Sequence, residues 1–220
     1  MLNRVILLCL FVCAVVKTTA AAELPGEYFR LMEAGIKQVE QRLAAEPSAD
    51  LKALEARGDR WRLFPHVVLV AAVLYAKPDP SNHDYKDPKM LALATKIGDL
   101  LASENEQGRY EERLNSDRDT YMWLEAYRLL AQDLGEERQK RWRRELEKNI
   151  VILATESAER IDFPGYQSPF IGTSPNHLSL WASTVYLAGR VFSNRQWEEL
   201  GARIMHRFAA QEQSSDGFWG

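Results

Sequence analysis

Two neighbouring stretches, YMWLEAYRLLA (121–131) and GEERQKRWRRELEKNI (135–150), decide the fold of this chain. The first is mostly apolar, whereas the second is strongly charged and has apolar residues only at helical spacing. An apolar helix is buried on most sides, and a charged helix shows one face to water. Gly135 stands between them, where a glycine commonly follows the end of a helix. We therefore predict a hairpin made of an inner and an outer helix.

The same alternation runs along most of the chain. VVLVAAVLYA (67–76) and LSLWASTVYLAG (178–189) are mostly apolar, and QWEELGARIMHRF (196–208) is intermediate. A short extra turn is predicted at 50–57, and longer helices are predicted at 26–45, 62–76, 88–103, 118–134, 136–157, 176–192 and 195–212. Strand signals are nearly absent. The predicted fold class is all-α, with tandem antiparallel helical hairpins.

Glycine and tryptophan residues recur along the chain at a common spacing of about 55 residues. They comprise three loop glycines beside an aromatic residue and one tryptophan pair each on inner and outer helices: Gly108, Gly165, Gly217, Trp123, Trp181, Trp142 and Trp197. Such a period indicates a repeated hairpin. A closed toroid of six hairpins needs more than about 300 residues, and this chain has 220. We therefore expect part of an (α/α) toroid, the N-terminal part of a longer domain.

The first twenty-two residues have the pattern of a signal peptide (1–22). Arg4 precedes the apolar run VILLCLFVCAVV (5–16), and small residues for cleavage follow it. That run is too short for a membrane span of about 20 residues, although an uncleaved anchor is the alternative. Both cysteines lie in this segment. We predict an exported protein, periplasmic or secreted, with a helical domain over 23–220 and no stable membrane association after cleavage.

The charge balance argues against a nucleic-acid partner. The chain carries 28 Lys and Arg against 31 Asp and Glu, and its formal net charge is −3 at pH 7. An anionic ligand stays compatible with this total because local fields matter more. No phosphate-binding glycine motif occurs, and the histidines lack the spacing of metal ligands: His66, His83, His177 and His206. We predict no metal and no other cofactor.

Two long connections, 104–119 and 160–176, each lead into an inner helix. We expect them at one end of the fold, over the N-termini of the inner helices. Helix N-termini present unpaired N–H groups and a partial positive charge, which suit carboxylates, sulfates or phosphates. Aromatic residues in loops at this end, Tyr110 and Trp219 among them, are typical of a sugar-binding cleft. The alternative is that these aromatic residues only pack the loops onto the core.

Asn176 and His177 are predicted to open one of these inner helices. The helix dipole would lower the pKa of the imidazole and keep it neutral, so that it accepts a proton. Asn176 would neutralise a substrate carboxylate, and Tyr166 would protonate the leaving oxygen, which together suit β-elimination. Arg118 and Asp119, at the helix start one repeat earlier, are predicted to bind the sugar. The alternative is that Asn176 caps the helix and His177 packs against the loop.

The SPNH helix start (174–177), the DGFW loop (216–219) and the alternating helices resemble the (α/α)-toroid domains of polysaccharide lyases, including heparinase II/III-like and alginate-lyase-like proteins. The resemblance covers roughly 85–220. It implies cleavage of uronic-acid glycans by β-elimination, with an Asn, a His and a Tyr in the cleft. The Asn–His pair of the SPNH motif matches two of these residues, and Tyr166 is matched by its place in the loop alone.

Two other functions stay open. An inverting glycoside hydrolase of toroid fold would need two carboxylates across the cleft, and the candidates are Asp117, Asp119, Asp162 and Asp216. Aspartate is also a common N-cap, which is the structural alternative for Asp117 and Asp119. A non-catalytic helical-repeat scaffold would bury the loop aromatic residues. The sequence therefore predicts a carbohydrate-active protein that takes a polysaccharide or oligosaccharide substrate, with a lyase favoured.

Overall fold

The computed structural model describes residues 26–41, 44, 63–108, 116–159 and 175–212, apart from some side chains at helix ends. Within these ranges the regular elements are seven α-helices, and no strand is present, which confirms the all-α fold class. The helices are α1 (26–41), α2 (Leu63–Ala76), α3 (Pro88–Glu106), α4 (Ser116–Leu130), α5 (Glu136–Glu159), α6 (Pro175–Phe192) and α7 (Arg195–Glu212). The predicted signal peptide and the predicted turn at 50–57 lie outside the described residues.

The helices agree with the predicted ones in number and differ mainly at their ends. The start of α3 follows the sequence signals, because Pro88 occupies its first turn and the side chain of Asp87 accepts a hydrogen bond from the Lys89 N–H. Helix α4 ends at Leu130 rather than at 134, since the chain turns there, and Gly135 follows with a φ of 72°. Helix α6 begins at Pro175, one residue before the predicted start at 176.

Consecutive helices form antiparallel hairpins that stack in two layers. Helices α2, α4 and α6 contact one another in chain order as an inner layer, and α3, α5 and α7 do the same as an outer layer. At the end of α2, the Tyr75 hydroxyl donates to Asp133, just beyond α4, over 3.1 Å. The rings of Tyr127 and Phe192, near the ends of α4 and α6, lie 5.6 Å apart. The three inner helices therefore run parallel.

Three of the four repeated tryptophans are buried in the core and Trp197 is partly buried against it, so they are only partly equivalent. Trp123 on α4 and Trp181 on α6 are both buried near the same position of an inner helix. Trp142 on α5 is fully buried and packs edge-on against Trp123 at 5.9 Å. Trp197 lies about one helical turn earlier in α7 and packs against Phe192 instead. Trp142 and Trp197 are therefore separated by the repeat interval in sequence, but they do not occupy equivalent positions in their helices.

Glycines allow two helix pairs to approach closely. A Cβ atom on Gly98 of α3 would lie 2.0 Å from the indole ring of Trp142 on α5. A Cβ atom on Gly201 of α7 would lie 2.5 Å from the backbone carbonyl oxygen of Ala182 on α6. Side chains at either position would overlap atoms that have no room to move, so the packing of both pairs depends on glycine.

Ion pairs join α3 to α5 along the outer surface. Glu106 accepts hydrogen bonds from Arg141 at 3.0 and 2.8 Å and from Arg144 at 2.9 Å. Asp99 accepts from the Nε–H of Arg138 at 3.0 Å and from the indole N–H of Trp142 at 2.8 Å. These contacts fix two parallel outer helices side by side, with most of the charged groups partly exposed.

Glu106 should contribute to acid sensitivity. Its hydrogen bonds from Arg141, and the charges of Arg141, Arg144 and Lys148, lower its pKa below the ordinary value of 4.5. A lowered folded-state pKa stabilises the protein above pH 4.5, and this contribution is lost as the pH falls through the folded value. We expect Glu106→Gln to lower the thermal midpoint at pH 7 and to flatten its fall towards pH 3, as followed by circular dichroism.

The matched control is Glu136→Gln, which removes an exposed carboxylate that pairs with Lys140 in the same helix. Equal flattening in both variants would contradict a specific role for Glu106.

Candidate functional site

The N-terminal ends of the inner helices lie together at one end of the stack. Because α2, α4 and α6 run parallel, their first turns face the same way, and the outer helices α3 and α5 finish at this end. We name the first turns of α2, α4 and α6 the mouth. The connections from α3 to α4 and from α5 to α6 leave and enter here. The first of them spans 107–115, shorter than the predicted 104–119, because α3 continues to Glu106 and α4 already begins at Ser116.

The predicted catalytic pair belongs to the mouth. Asn176 and His177 fall in the first turn of α6, directly after Pro175, and α6 packs against α4. The described residues include the backbone of this pair and not its side chains. Tyr166, the third predicted catalytic residue, lies outside the described residues.

The predicted substrate-binding residues are likewise only partly described by the structure. Arg118 and Asp119 lie in the first turn of α4. Asp119 is buried, with 5% of its surface exposed, and it interacts with neighbouring groups. Of Arg118 the backbone alone is described, and Tyr110 and Trp219 lie outside the described residues. The structure thus places the Arg–Asp and Asn–His pairs at the starts of two adjacent, parallel helices.

The mouth favours negative charge on a ligand. A helix N-terminus carries roughly half an elementary positive charge together with unpaired N–H groups. Three inner helices present such termini in one direction. The buried carboxyl group of Asp119 lies within this field at α4. Since α3 and α5 end here and their C-termini carry the opposite partial charge, a carboxylate, sulfate or phosphate group of a ligand would be stabilised directly beside the first turns of the inner helices.

A ladder of buried polar side chains lies behind the mouth and was missed in the sequence. The Asn105 amide of α3 donates to the Asn149 Oδ1 of α5 at 2.8 Å and to the Glu145 carbonyl oxygen at 3.2 Å. The Asn149 amide in turn donates to the Thr120 hydroxyl of α4 at 3.4 Å. These side chains are almost fully buried. The ladder therefore ties the end of α3 and the body of α5 to the start of α4.

Two buried polar atoms in this region have no hydrogen-bond partner among the described residues. They are the Oδ1 of Asn105 and the Nε1 of Trp123, one turn beyond Thr120 on α4. Buried polar groups are normally hydrogen-bonded, because leaving one unsatisfied costs about 1–3 kcal/mol. The buried residues at the start of α4, Asp119 and Thr120, are polar, whereas the buried residues later in this helix are mainly apolar.

The spacing of the ladder explains why it was missed. Asn105 and Asn149 are 44 residues apart, and each lies in a stretch rich in polar residues. An asparagine among other polar residues does not stand out in the sequence as a buried residue. A signal was present, since Asn149 follows Leu146 by three residues and precedes Leu153 by four, which is the spacing of the buried side of α5.

Metal-binding clusters and membrane-spanning helices are both absent from the described residues. In the described ranges, no group of three or more His, Cys, Asp or Glu side chains could hold a metal ion. No described helix is both long and apolar enough to cross a membrane.

Comparison with protein-family models, with curated proteins and with solved structures finds no match to the chain.

Proposed function

We propose that this chain forms part of an (α/α) toroid and acts as an exported polysaccharide lyase, which cleaves uronic-acid-containing glycans by β-elimination. The observation that carries the proposal is the place of Asn176 and His177, in the first turn of an inner helix at the end where parallel inner helices begin. The alternation of inner and outer helices supports the toroid. The substrate class is a polysaccharide or oligosaccharide, with no nucleic acid and no cofactor.

In this mechanism the three residues act on different atoms of one uronate. Asn176 donates its amide N–H to the carboxylate and so stabilises the charge that develops when the α-proton leaves. His177, kept neutral at the helix N-terminus, takes that proton. Tyr166 gives its proton to the glycosidic oxygen, and the C–O bond breaks as the new double bond forms. Neighbouring helical residues project about 100° apart, so the Asn–His pair can reach different atoms.

The remaining predicted residues would bind the glycan. Arg118 would pair with a uronate carboxylate, and Tyr110 and Trp219 would pack against sugar rings. Asp119 is a poor candidate for sugar binding or for a hydrolase carboxylate, because such a group must reach the substrate and this residue is 5% exposed. We assign Asp119 to holding the start of α4 rather than to catalysis.

Export is proposed from the basic residue, the short apolar run and the small residues of 1–22. The site of action would then be the periplasm or the exterior of the cell. N-terminal sequencing of the protein recovered from the expressing cells tests this, and a chain that still begins at Met1 would contradict it.

The lyase is tested by ultraviolet absorbance of unsaturated uronate during incubation with alginate, heparin-like and pectin-like polymers. We expect the full-length protein to produce this signal on one polymer. His177→Ala should reduce the rate by about 100-fold or more, and Asn176→Ala and Tyr166→Phe should also reduce it. The matched control is His206→Ala, which removes an exposed histidine of α7 and should leave the rate unchanged.

Two results would contradict the lyase. Reducing ends released without the absorbance signal would indicate hydrolysis and return Asp119 and a second carboxylate to consideration. Neither signal on any of the polymers would favour the non-catalytic scaffold.

A further inference from the structure

A cleft of about 470 Å³ opens on the outer layer between α3 and the first half of α5. The mouth lies at the other end of α5. Four cationic and two acidic residues line the cleft: Arg138, Lys140, Arg141, Arg144, Asp99 and Glu137. The lining alone carries more positive than negative charge, although Glu136, Glu106 and Glu145 beside it pair with Lys140, Arg141 and Arg144. Neither the lyase site nor the predicted sugar-binding residues include any of these side chains.

The guanidinium groups of the cleft are held in place by carboxylates, each of which accepts two or more hydrogen bonds. Asp99 accepts from Arg138 and from the Trp142 indole, and Glu106 accepts three hydrogen bonds. Glu145, which is fully buried, accepts from the Nε–H of Arg144 at 2.9 Å and also from Lys148. Because neighbours fix these side chains, little further rotamer entropy would be lost when a ligand binds.

Many donors of the three arginines are not used by these contacts. A guanidinium carries five N–H donors. Arg138 donates from Nε to Asp99 and from one terminal nitrogen to the Leu134 carbonyl oxygen. Arg141 and Arg144 each donate through Nε and one terminal nitrogen, and the other terminal nitrogen of Arg141 lies 3.9 Å from Asp99. The nearby carboxylates are occupied, so the surplus of donors suits an added ligand with several acceptor oxygens and negative charge.

We propose that this cleft binds a sulfate or phosphate group. Arginine forks match the oxygens of such groups, and hydrogen bonds between ionised partners are the stronger ones. The group has two possible sources, a free inorganic ion or an ester on a small molecule. The open cleft has room for either source. The inference does not depend on the proposed lyase activity.

Calorimetric titration of the full chain in chloride buffer tests the site with three probes: inorganic sulfate, glucose 6-sulfate and glucose. We expect the sulfate ester to bind and glucose not to bind. Tighter binding of the ester assigns the site to an esterified small molecule, and equal affinity for inorganic sulfate assigns it to the free ion. No binding of either sulfate probe would overturn the proposal.

Matched variants separate the cleft from general charge. Arg141→Gln with Arg144→Gln should weaken binding by about tenfold or more. Arg190→Gln with Arg195→Gln removes the same charge from arginines on α6 and α7, which pair with other carboxylates, and should change affinity by less than about twofold. Equal weakening by both pairs, or none by the first, would overturn the assignment. Circular dichroism checks that all variants remain folded.

Lysine replacements test recognition by the guanidinium groups. Arg141→Lys with Arg144→Lys keeps the charge and removes the planar fork, so affinity should fall by about fivefold or more. Unchanged affinity would show diffuse charge attraction instead of a built site. Binding should persist in His177→Ala, which keeps a failure of this site distinct from a failure of the lyase.

Discussion

Replacement of Gly98 by alanine should destabilise the protein by about 3 kcal/mol. The new Cβ atom would lie 2.0 Å from the Trp142 ring. That ring cannot simply move away, since it is fully buried, packs edge-on against Trp123 and donates its N–H to Asp99. Helices α3 and α5 must then separate, and the contact between the outer helices weakens. Urea denaturation measures the change as a loss of unfolding free energy.

The sign of this effect is the opposite of what helix propensity alone predicts. Alanine normally stabilises a helix relative to glycine by about 0.5–1 kcal/mol. Gly35 lies in α1 with no atom within 4 Å of its would-be Cβ, so Gly35→Ala should be stabilising and serves as the matched control. Trp142→Phe, which shortens the ring, should recover part of the loss when combined with Gly98→Ala. A Gly98→Ala variant as stable as the parent would show that α3 and α5 adjust freely.

Replacement of Asn149 by leucine should cost about 2–3 kcal/mol. Asn149 is the middle member of the buried ladder, where it accepts from Asn105 and donates to Thr120. The leucine side chain has a similar size, so the main loss is not one of packing. It removes one of the two acceptors of the buried Asn105 amide and leaves only the Glu145 carbonyl oxygen, so the desolvation of that amide is no longer fully offset. Urea denaturation again gives the free energy.

A double-mutant cycle makes this prediction specific. Asn105→Leu combined with Asn149→Leu removes both amides together, and the Thr120 hydroxyl and the Glu145 carbonyl oxygen then lose their contacts to the ladder. The double variant should lose clearly less stability than the sum of the two single variants, because replacing both partners by apolar groups removes the unsatisfied pair. Additive losses would mean that the two asparagines contribute independently.

The sequence anticipated the helices because the signals were local. Apolar periodicity and Gly135 lie within or next to the helices that they mark. The extension of α3 to Glu106 was different. Its last turn holds Asn105, which is bonded to α5 through contacts about 40 residues away in the chain. A tertiary contact of this kind stabilises a helix end that local propensity leaves undecided.

The mouth could be anticipated, whereas its interior could not. Connection lengths and helix direction placed the starts of α4 and α6 at one end, and the described helices agree. The partners of Asn149 and the burial of Asp119 depend on how α3, α4 and α5 meet in space. The amino-acid composition carries no information about how these three helices pack against one another. The roles of His177, Asn176 and Tyr166 stay predictions.

The order in which the hairpins pack has a consequence for how the molecule unfolds. Extensive contacts join the α2–α3 hairpin to α4–α5, and α4–α5 to α6–α7, while among the described helices none joins the first hairpin to the third. Cooperativity in such an array passes only between nearest neighbours. The α6–α7 hairpin can therefore open without disrupting α2 and α3, and the two ends of the stack can exchange their amide hydrogens at different rates. The middle hairpin, which holds Trp123, Trp142 and Asn149, would be the last to open.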